Sequence, residues 1–341
     1  MMKDSNILNY VLLEVTDKCN LACRHCRVEN LNCVSNPLTK EEIFKIIKTS
    51  SKLGAKVITF SGGEPLLRSD ITALVDCASK NGLKPRIQSN GYLINKKIIQ
   101  DLKNAGLKTL GIGLDGSKSE IHNWLRRNNK AFNKTLNAIK LTREAGIDVH
   151  VESTITKFNQ ADVENIIDLA EKVGASTFLT RCVIAVGKAN TNLMVSKKEN
   201  KDLLNRIMKK KYKMKRMTVT SQDPLFHLAD KKLICLLCKK YGKLNSDRFI
   251  GGCIAGFNSL NIKPNGDVKI CTFLPVVIGN IRKRKLEDIW KDKNKIVAKF
   301  TKRKIKGKCK MCTDRYICGG CRARALALNN DILSEDPYCW L

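Results

Sequence analysis

Three cysteines within eight residues carry the first chemical signal of this chain. Cys19, Cys23 and Cys26 stand in Thr16-Asp-Lys-Cys-Asn-Leu-Ala-Cys-Arg-His-Cys26, directly after the apolar run Val11 to Val15. A C-x3-C-x2-C triplet offers three thiolates from one tight loop. A cubane iron–sulfur cluster takes four, so one iron would stay open to another ligand. A second group, Ser61-Gly62-Gly63-Glu64-Pro65, follows the apolar run Val57-Ile58-Thr59-Phe60. Paired glycines at a strand end let backbone approach a ligand closely. Glu64 offers an acceptor to a ligand ammonium. Taken alone, the glycine pair would equally serve an ordinary strand-to-helix turn.

These groups need a scaffold, and the hydrophobic pattern supplies one. Apolar runs predict strands at 11–15, 56–60, 84–89, 108–114, 148–154 and 177–184. Amphipathic periodicity predicts helices at 39–53, 70–81, 95–105, 131–145, 161–173 and 197–212. Thr39 and Glu42 form a capping box at the first helix, and Ile43, Ile46, Ile47 and Leu53 its buried stripe. Gly54, Gly82, Gly106, Gly146 and Gly174 each follow a helix, as C-terminal caps should. Strand–helix repetition means a parallel sheet with helical crossovers. The fold class is therefore α/β, and six units rather than eight predict an open, partial (β/α)6 TIM-like barrel. Ligands in such folds collect at the carboxyl ends of the strands, where both groups above fall.

Further strand ends carry Ser89-Asn90-Gly91, Leu114-Asp115-Gly116 with His122 and Arg126, and Glu152-Ser153-Thr154 with Thr156 and Asn159. Together with the cysteine triplet and the Gly-Gly-Glu-Pro turn, this pattern resembles the radical S-adenosylmethionine (SAM) enzymes. The resemblance implies a [4Fe–4S] cluster on Cys19, Cys23 and Cys26, its open iron chelated by SAM. It implies that Gly62, Gly63 and Glu64 grip the methionyl amino group and that Arg126 reaches the SAM carboxylate. Asn90, Asp115 and Ser153 would complete the cofactor site. Asn90 and Asp115 also fit plain turn chemistry, and His122 a packing residue at a helix start. The resemblance also implies polar groups at strands four and five facing the SAM ribose, and this chain departs from many relatives in having Gly113 where they have serine.

The last 90 or so residues are rich in cysteine: Cys253, Cys271, Cys309, Cys312, Cys318, Cys321 and Cys339. They resemble the SPASM extension of radical SAM enzymes, which implies one or two auxiliary [4Fe–4S] clusters. By that resemblance Cys309, Cys312, Cys318 and Cys339 hold the distal cluster, and Cys253, Cys271 and Cys321 contribute to the nearer one. Its fourth ligand would be Cys235 or Cys238, or that iron stays open to substrate. Two residues separate Cys318 from Cys321, where the general motif has three. The rival reading of C-x2-C pairs is a zinc site. Cys33, Cys77 and Cys182 read as ordinary buried thiols, although Cys182, on the sixth strand, could face the active site. The implied organisation is a radical SAM barrel over 1–213, a connecting segment over 214–250 and the auxiliary-cluster domain over 251–341.

A chain of 341 residues with 15 cysteines and a formal net charge of +31 fits this class. No signal peptide is visible, and no apolar run reaches the roughly 18 residues of a membrane span. Clustered cysteines without an export signal read as metal ligands in a reducing, cytoplasmic setting, in an anaerobic host. The positive charge reads either as a solvated lysine surface or as a match for an anionic partner. Aromatic residues do not interleave with it in RNA-binding spacing, which argues against nucleic acid.

The tail Cys318-Gly-Gly-Cys-Arg-Ala-Arg-Ala325 with Ser334-Glu-Asp-Pro-Tyr-Cys339, and Gly251 to Gly256, look like the SPASM enzymes that trim tetrapyrrole side chains. That resemblance implies a 5′-deoxyadenosyl radical acting on a polycarboxylate tetrapyrrole, with ferredoxin or flavodoxin as electron donor. Arg181 and Cys182, at the sixth strand, are the candidate substrate-facing residues. The alternative is a peptide or protein maturase. A non-catalytic iron–sulfur carrier or a nucleic-acid modifier fits the residues less well.

Overall fold

The computed structural model describes residues 8–28, 31–230, 252–253, 255–301, 304–316 and 318–341. Cys235 and Cys238 lie outside the described residues. Seven strands run parallel in chain order: β1 (Tyr10–Thr16), β2 (Val57–Gly62), β3 (Lys84–Ser89), β4 (Thr109–Gly113), β5 (Asp148–Ile155), β6 (Thr177–Cys182) and β7 (Thr218–Ser221). Between them lie α1 (Lys40–Lys52), α2 (Ile71–Lys80), α3 (Lys96–Asn104), α4 (Ser119–Arg126), α5 (Ala131–Glu144), α6 (Val163–Lys172) and α7 (Lys197–Lys213). The result is the expected open, partial barrel with one strand more than the sequence suggested. Thr218–Ser221 is short and carries one apolar residue, Val219, so its apolar period is invisible, yet it pairs in register with Thr177–Thr180 of β6.

Local rules set the elements. Thr39 accepts the Glu42 N–H at 3.2 Å while the Glu42 carboxylate accepts the Thr39 N–H at 2.8 Å, closing the capping box of α1. Ser196 and Glu199 repeat the device at α7. Ile43, Ile46 and Ile47 are buried on the sheet. Strand residues alternate: Val149, Val151 and Ile155 of β5 are buried among apolar neighbours, whereas Glu152 and Thr154 line a cavity at the strand ends. Each fully buried Leu, Ile or Phe of the layer between sheet and helices contributes about 1.5–3 kcal/mol.

The carboxyl-terminal part extends the same sheet. β8 (Ser259–Ile262) pairs parallel with β1. A hairpin turn at Asn265-Gly266 then leads to β9 (Asp267–Lys269) and β10 (Val277–Asn280), both antiparallel. Beyond β7 come α8 (Phe226–Ala229), α9 (Leu286–Thr301), α10 (Lys308–Met311) and α11 (Arg322–Asn329).

One buried ionic knot ties the chain end to the barrel. Arg324, 2% exposed, bonds Asp336 through Nε at 2.7 Å and Nη2 at 2.7 Å, and Asp223 through Nη1 at 2.8 Å and Nη2 at 3.1 Å. The Tyr338 ring lies 4.5 Å from the guanidinium carbon. Asp223 sits in the turn after β7, where its Oδ1 accepts the Leu225 N–H at 2.9 Å. Removing a single partner of a buried ion cluster leaves uncompensated charge and costs about 3–5 kcal/mol. Arg324→Leu is therefore expected to lower the free energy of chemical unfolding by about that amount. The double variant Asp223→Asn/Arg324→Leu should recover part of the loss.

Candidate active site

The carboxyl ends of β1 to β6 surround a cavity of about 210 Å3. One wall is Cys19, Cys23 and Cys26, from the loop after β1. The neighbouring wall is the backbone of Gly62 and Gly63, after β2. The Gly63 N–H donates to the Thr16 carbonyl at 2.8 Å, and the Glu64 N–H to the Lys18 carbonyl at 2.7 Å. A Cβ at position 63 would sit 2.1 Å from the Lys18 carbonyl oxygen. Only glycine lets the turn and the cysteine loop close on each other.

Glu64 does not reach the cavity. Its carboxylate lies beneath the turn, 0% exposed. It accepts the Leu66 N–H at 3.1 Å, the Ser89 hydroxyl at 2.9 Å and the Asn90 N–H at 2.8 Å. Burial pushes its pKa up to about 7, against those hydrogen bonds. The structure thus gives Glu64 the task of tying the β2 turn to the β3 turn, in place of the expected contact with a ligand ammonium. Asn90 lines the cavity. Its amide donates to Asn20 Oδ1 at 2.8 Å and lies 3.9 Å from Cys19 Sγ, while its Oδ1 accepts the Tyr92 N–H at 2.9 Å. It serves both the turn and the cysteine loop.

Asp115 is likewise buried behind the wall. It pairs with Arg126 Nη2 at 2.8 Å, accepts the Thr154 N–H at 2.9 Å and lies 3.5 Å from His25 Nε2. Burial raises its carboxyl, but Arg126 and His25 outweigh that and hold it below the ordinary value. This pairing points Arg126 into the cavity beside Cys23. A Cβ at Gly113 would meet Arg126 Nη2 at 2.2 Å, so glycine here makes room for the guanidinium. Ser153 does not face the cofactor cavity as expected. It is buried on the opposite face of β5 from Glu152 and Thr154, because side chains alternate along a strand, and its hydroxyl has no partner among the described residues. The Cys182 thiol also turns away, donating to Asn200 Oδ1 of α7 at 3.0 Å. Cys33 is exposed, contrary to expectation, because it follows β1 in a surface loop.

Two observations test whether the residues fit a three-thiolate cluster and SAM. Sulfur ligands, backbone oxygen and a guanidinium face one small space, matching soft iron, a ligand ammonium and a ligand carboxylate. His25, on the same wall, keeps a buried Nδ1 with no partner among the described residues. The residues fit. Burial raises the Cys19 thiol to about 11 and raises Cys23 as well, so cluster assembly must release their protons.

A second cavity, about 440 Å3, adjoins the first. Cys253, Cys271 and Cys321 line it, the three thiols that the resemblance assigned to the nearer auxiliary cluster. Cys339 lies within electrostatic reach of Cys309, Cys312 and Cys318. Among the described residues no three His, Cys, Asp or Glu side chains converge closely enough for one metal ion. Several residues that the sequence reading gave no role shape these cavities: Arg27, Arg86, Gln88 and Phe273 line them, and Glu14 holds Arg27 in place. Burial raises the Glu14 carboxyl, but Arg27 at 2.9 Å and Lys263 at 2.6 Å outweigh it and hold the group at about 2. Glu152 pairs with Arg86 and accepts from Gln88. A charge inside an apolar strand run, as at Glu14, is the signal that could have found them.

Residues 13–173 match the Radical SAM superfamily, and residues 253–313 match SPASM, described as an iron-sulfur cluster-binding domain. The chain is 30% identical over 346 residues to the AdoMet-dependent heme synthase of Methanosarcina barkeri, covering 99% of this chain and 98% of that protein. It is 29% identical to the Fe-coproporphyrin III synthase of the same organism, covering 97% and 87%. The crystal structure of Streptococcus suis SuiB bound to precursor peptide SuiA superposes with a TM-score of 0.77 at 17% identity, covering 98% of this chain and 76% of that one, which shows a shared fold.

His122 supplies a pH test of this scaffold. Its ring is buried, and Nδ1 accepts the Asp115 N–H at 3.0 Å. Burial, then Arg126, lowers its pKa from 6.5 to about 3. The native state keeps the ring neutral where the unfolded chain takes a proton, so stability falls as pH falls from 6.5 toward 3. Denaturant titrations across that window should show this slope, and His122→Gln should flatten it.

Proposed function

Because the chain belongs to the radical SAM enzymes and carries their SPASM domain, we propose that it removes carboxylate from side chains of an iron tetrapyrrole. Cys19, Cys23 and Cys26 would hold the cluster, which when bound would supply the electron that makes SAM a source of hydrogen-atom abstraction from a substrate carbon. The observation that carries the proposal is the junction of two cavities. The first holds the thiol triplet. The second joins apolar side chains (Leu12, Leu260, Ile270, Leu274) to the guanidinium of Arg181, a match for a flat macrocycle with carboxylate arms. The two Methanosarcina barkeri relatives, named for heme and Fe-coproporphyrin III synthesis, support the same substrate class.

The chain's own groups fit that task. Arg126 and the Gly62–Gly63 backbone would hold SAM against the thiol wall. Asn90 and Asp115 would keep that wall in place. Loss of one hydrogen atom from the propionate carbon next to the CH2 that bears the carboxylate, then of CO2 and one electron, leaves a vinyl group. Cys253, Cys271 and Cys321 would hold an auxiliary cluster as the acceptor for that electron. A groove outside the triplet, with Arg127 and Lys188 on its rim, suits an acidic one-electron donor of ferredoxin or flavodoxin type in a reducing cytoplasm. No helix among the described residues is long and apolar enough to cross a membrane.

Anaerobically reconstituted protein should cleave SAM to 5′-deoxyadenosine faster with iron coproporphyrin III than without it. The porphyrin should lose CO2 and two hydrogens per side chain processed. Absence of stimulation by any iron porphyrin, with stimulation by a peptide instead, would assign the site to peptide maturation.

A further inference from the structure

The wall shared by the two cavities contains Arg27, Gln88, Arg181, Ile184 and Phe273. Three cations of the larger cavity are paired with carboxylates of the chain. Arg27 is paired with Glu14, Arg86 with Glu152, and Arg324 with Asp223 and Asp336. Arg322 lines the larger cavity but not the smaller one; it donates Nη1 to the carbonyls of Ile332 and Ser334, and its Nε and Nη2 have no hydrogen-bond partner among the described residues. Arg181 has no hydrogen-bond acceptor and no carboxylate partner among the described residues. Its guanidinium carbon lies 4.7 Å from the centre of the Phe273 ring. Glu152, the carboxylate nearest in influence, is already committed to Arg86 and Gln88. Burial pulls the Arg181 pKa below its ordinary value, as expected for a cation lacking a counter-charge.

A half-buried guanidinium without an anion is costly, and a cavity wall is where a ligand can supply one. The side chain is also held in plane. Phe273 stacks on it and donates its own N–H to Cys271 Sγ at 3.4 Å, so ring, guanidinium and the second thiol wall form one unit. We propose that Arg181 anchors a substrate carboxylate at the junction of the two cavities, with Phe273 fixing the plane of its fork. An anchor there would place the carbons beside the carboxylate toward the Cys19, Cys23 and Cys26 wall. The inference rests on the reading that the substrate is a carboxylate-bearing tetrapyrrole, and it adds the residue that selects the acid over a neutral side chain.

Optical titration of the reconstituted, full-length protein with iron coproporphyrin III and with its tetramethyl ester tests this. Wild type should bind the acid about 10- to 100-fold more tightly than the ester, the range for one charge-assisted hydrogen-bonded contact. Arg181→Gln should lose that preference, weakening Kd and raising KM for the acid while leaving ester and SAM affinities unchanged. Arg181→Lys should restore part of it, and Phe273→Leu should reduce it. Equal acid affinity in wild type and Arg181→Gln overturns the anchor and leaves the tetrapyrrole reading standing. Weakened SAM binding moves Arg181 to the cofactor, and loss of both porphyrin forms makes it structural; either overturns the proposal. Binding of neither porphyrin by wild type overturns the tetrapyrrole reading, and the anchor with it.

Discussion

Seven parallel strands deliver their carboxyl ends to one rim, and the loops that leave them must be held together without filling the space between. Buried carboxylates meet that constraint. Glu64 gathers the turns after β2 and β3 through three donors. Asp115 joins the end of β4 to β5 and to Arg126. Glu14, on β1, draws in Arg27, Lys263, Asn261 and Thr272, and so ties the cysteine loop to the carboxyl-terminal part of the sheet. Glu152 fixes Arg86 and Gln88 inside the barrel. A buried charge left single is expensive, and a fully bonded network is rigid. The rim is therefore a preformed frame whose polar capacity is largely spent on itself.

What the frame leaves available is informative. Thiols, glycine backbone and the guanidinium of Arg126 face the smaller cavity; thiols, apolar side chains and Arg181 face the larger. The close approaches at Gly63 and Gly113 show that this space is shaped by residues that could not be larger. The frame also couples the halves of the chain. β8 adds to β1 in the same sheet, and Arg324 locks Asp336, near the chain end, to Asp223 beside β7. The two thiol groups are consequently parts of one body with adjoining cavities.

Much of this was legible in the residues. Periodicity placed six strands and their helices within a few positions, because apolar alternation and caps such as Thr39–Glu42 act locally. The cysteine spacings identified the thiols that share a wall, because ligands from one loop need no knowledge of tertiary contacts. The misses have physical causes. Ser153 sits one residue from the cavity-facing Glu152 and Thr154, and the sequence does not say which face of a strand points inward once both are buried. Glu64 looked like a ligand contact, but its carboxylate is consumed by the Leu66 N–H and by the Ser89 hydroxyl and Asn90 N–H at the end of β3, long-range partners that no local pattern reveals. Cys182 found Asn200 across the helix layer for the same reason. β7, at four residues, is too short to show a period.

The most direct measurement follows hydrogen from substrate to cofactor. Iron coproporphyrin III deuterated at the propionate carbon next to the porphyrin ring would be incubated anaerobically with the reconstituted protein and reductant, and the 5′-deoxyadenosine analysed by mass. The account predicts one deuterium in each 5′-deoxyadenosine formed with a vinyl product. Vinyl product accompanied by unlabelled 5′-deoxyadenosine, or no product from any labelled porphyrin, would contradict it.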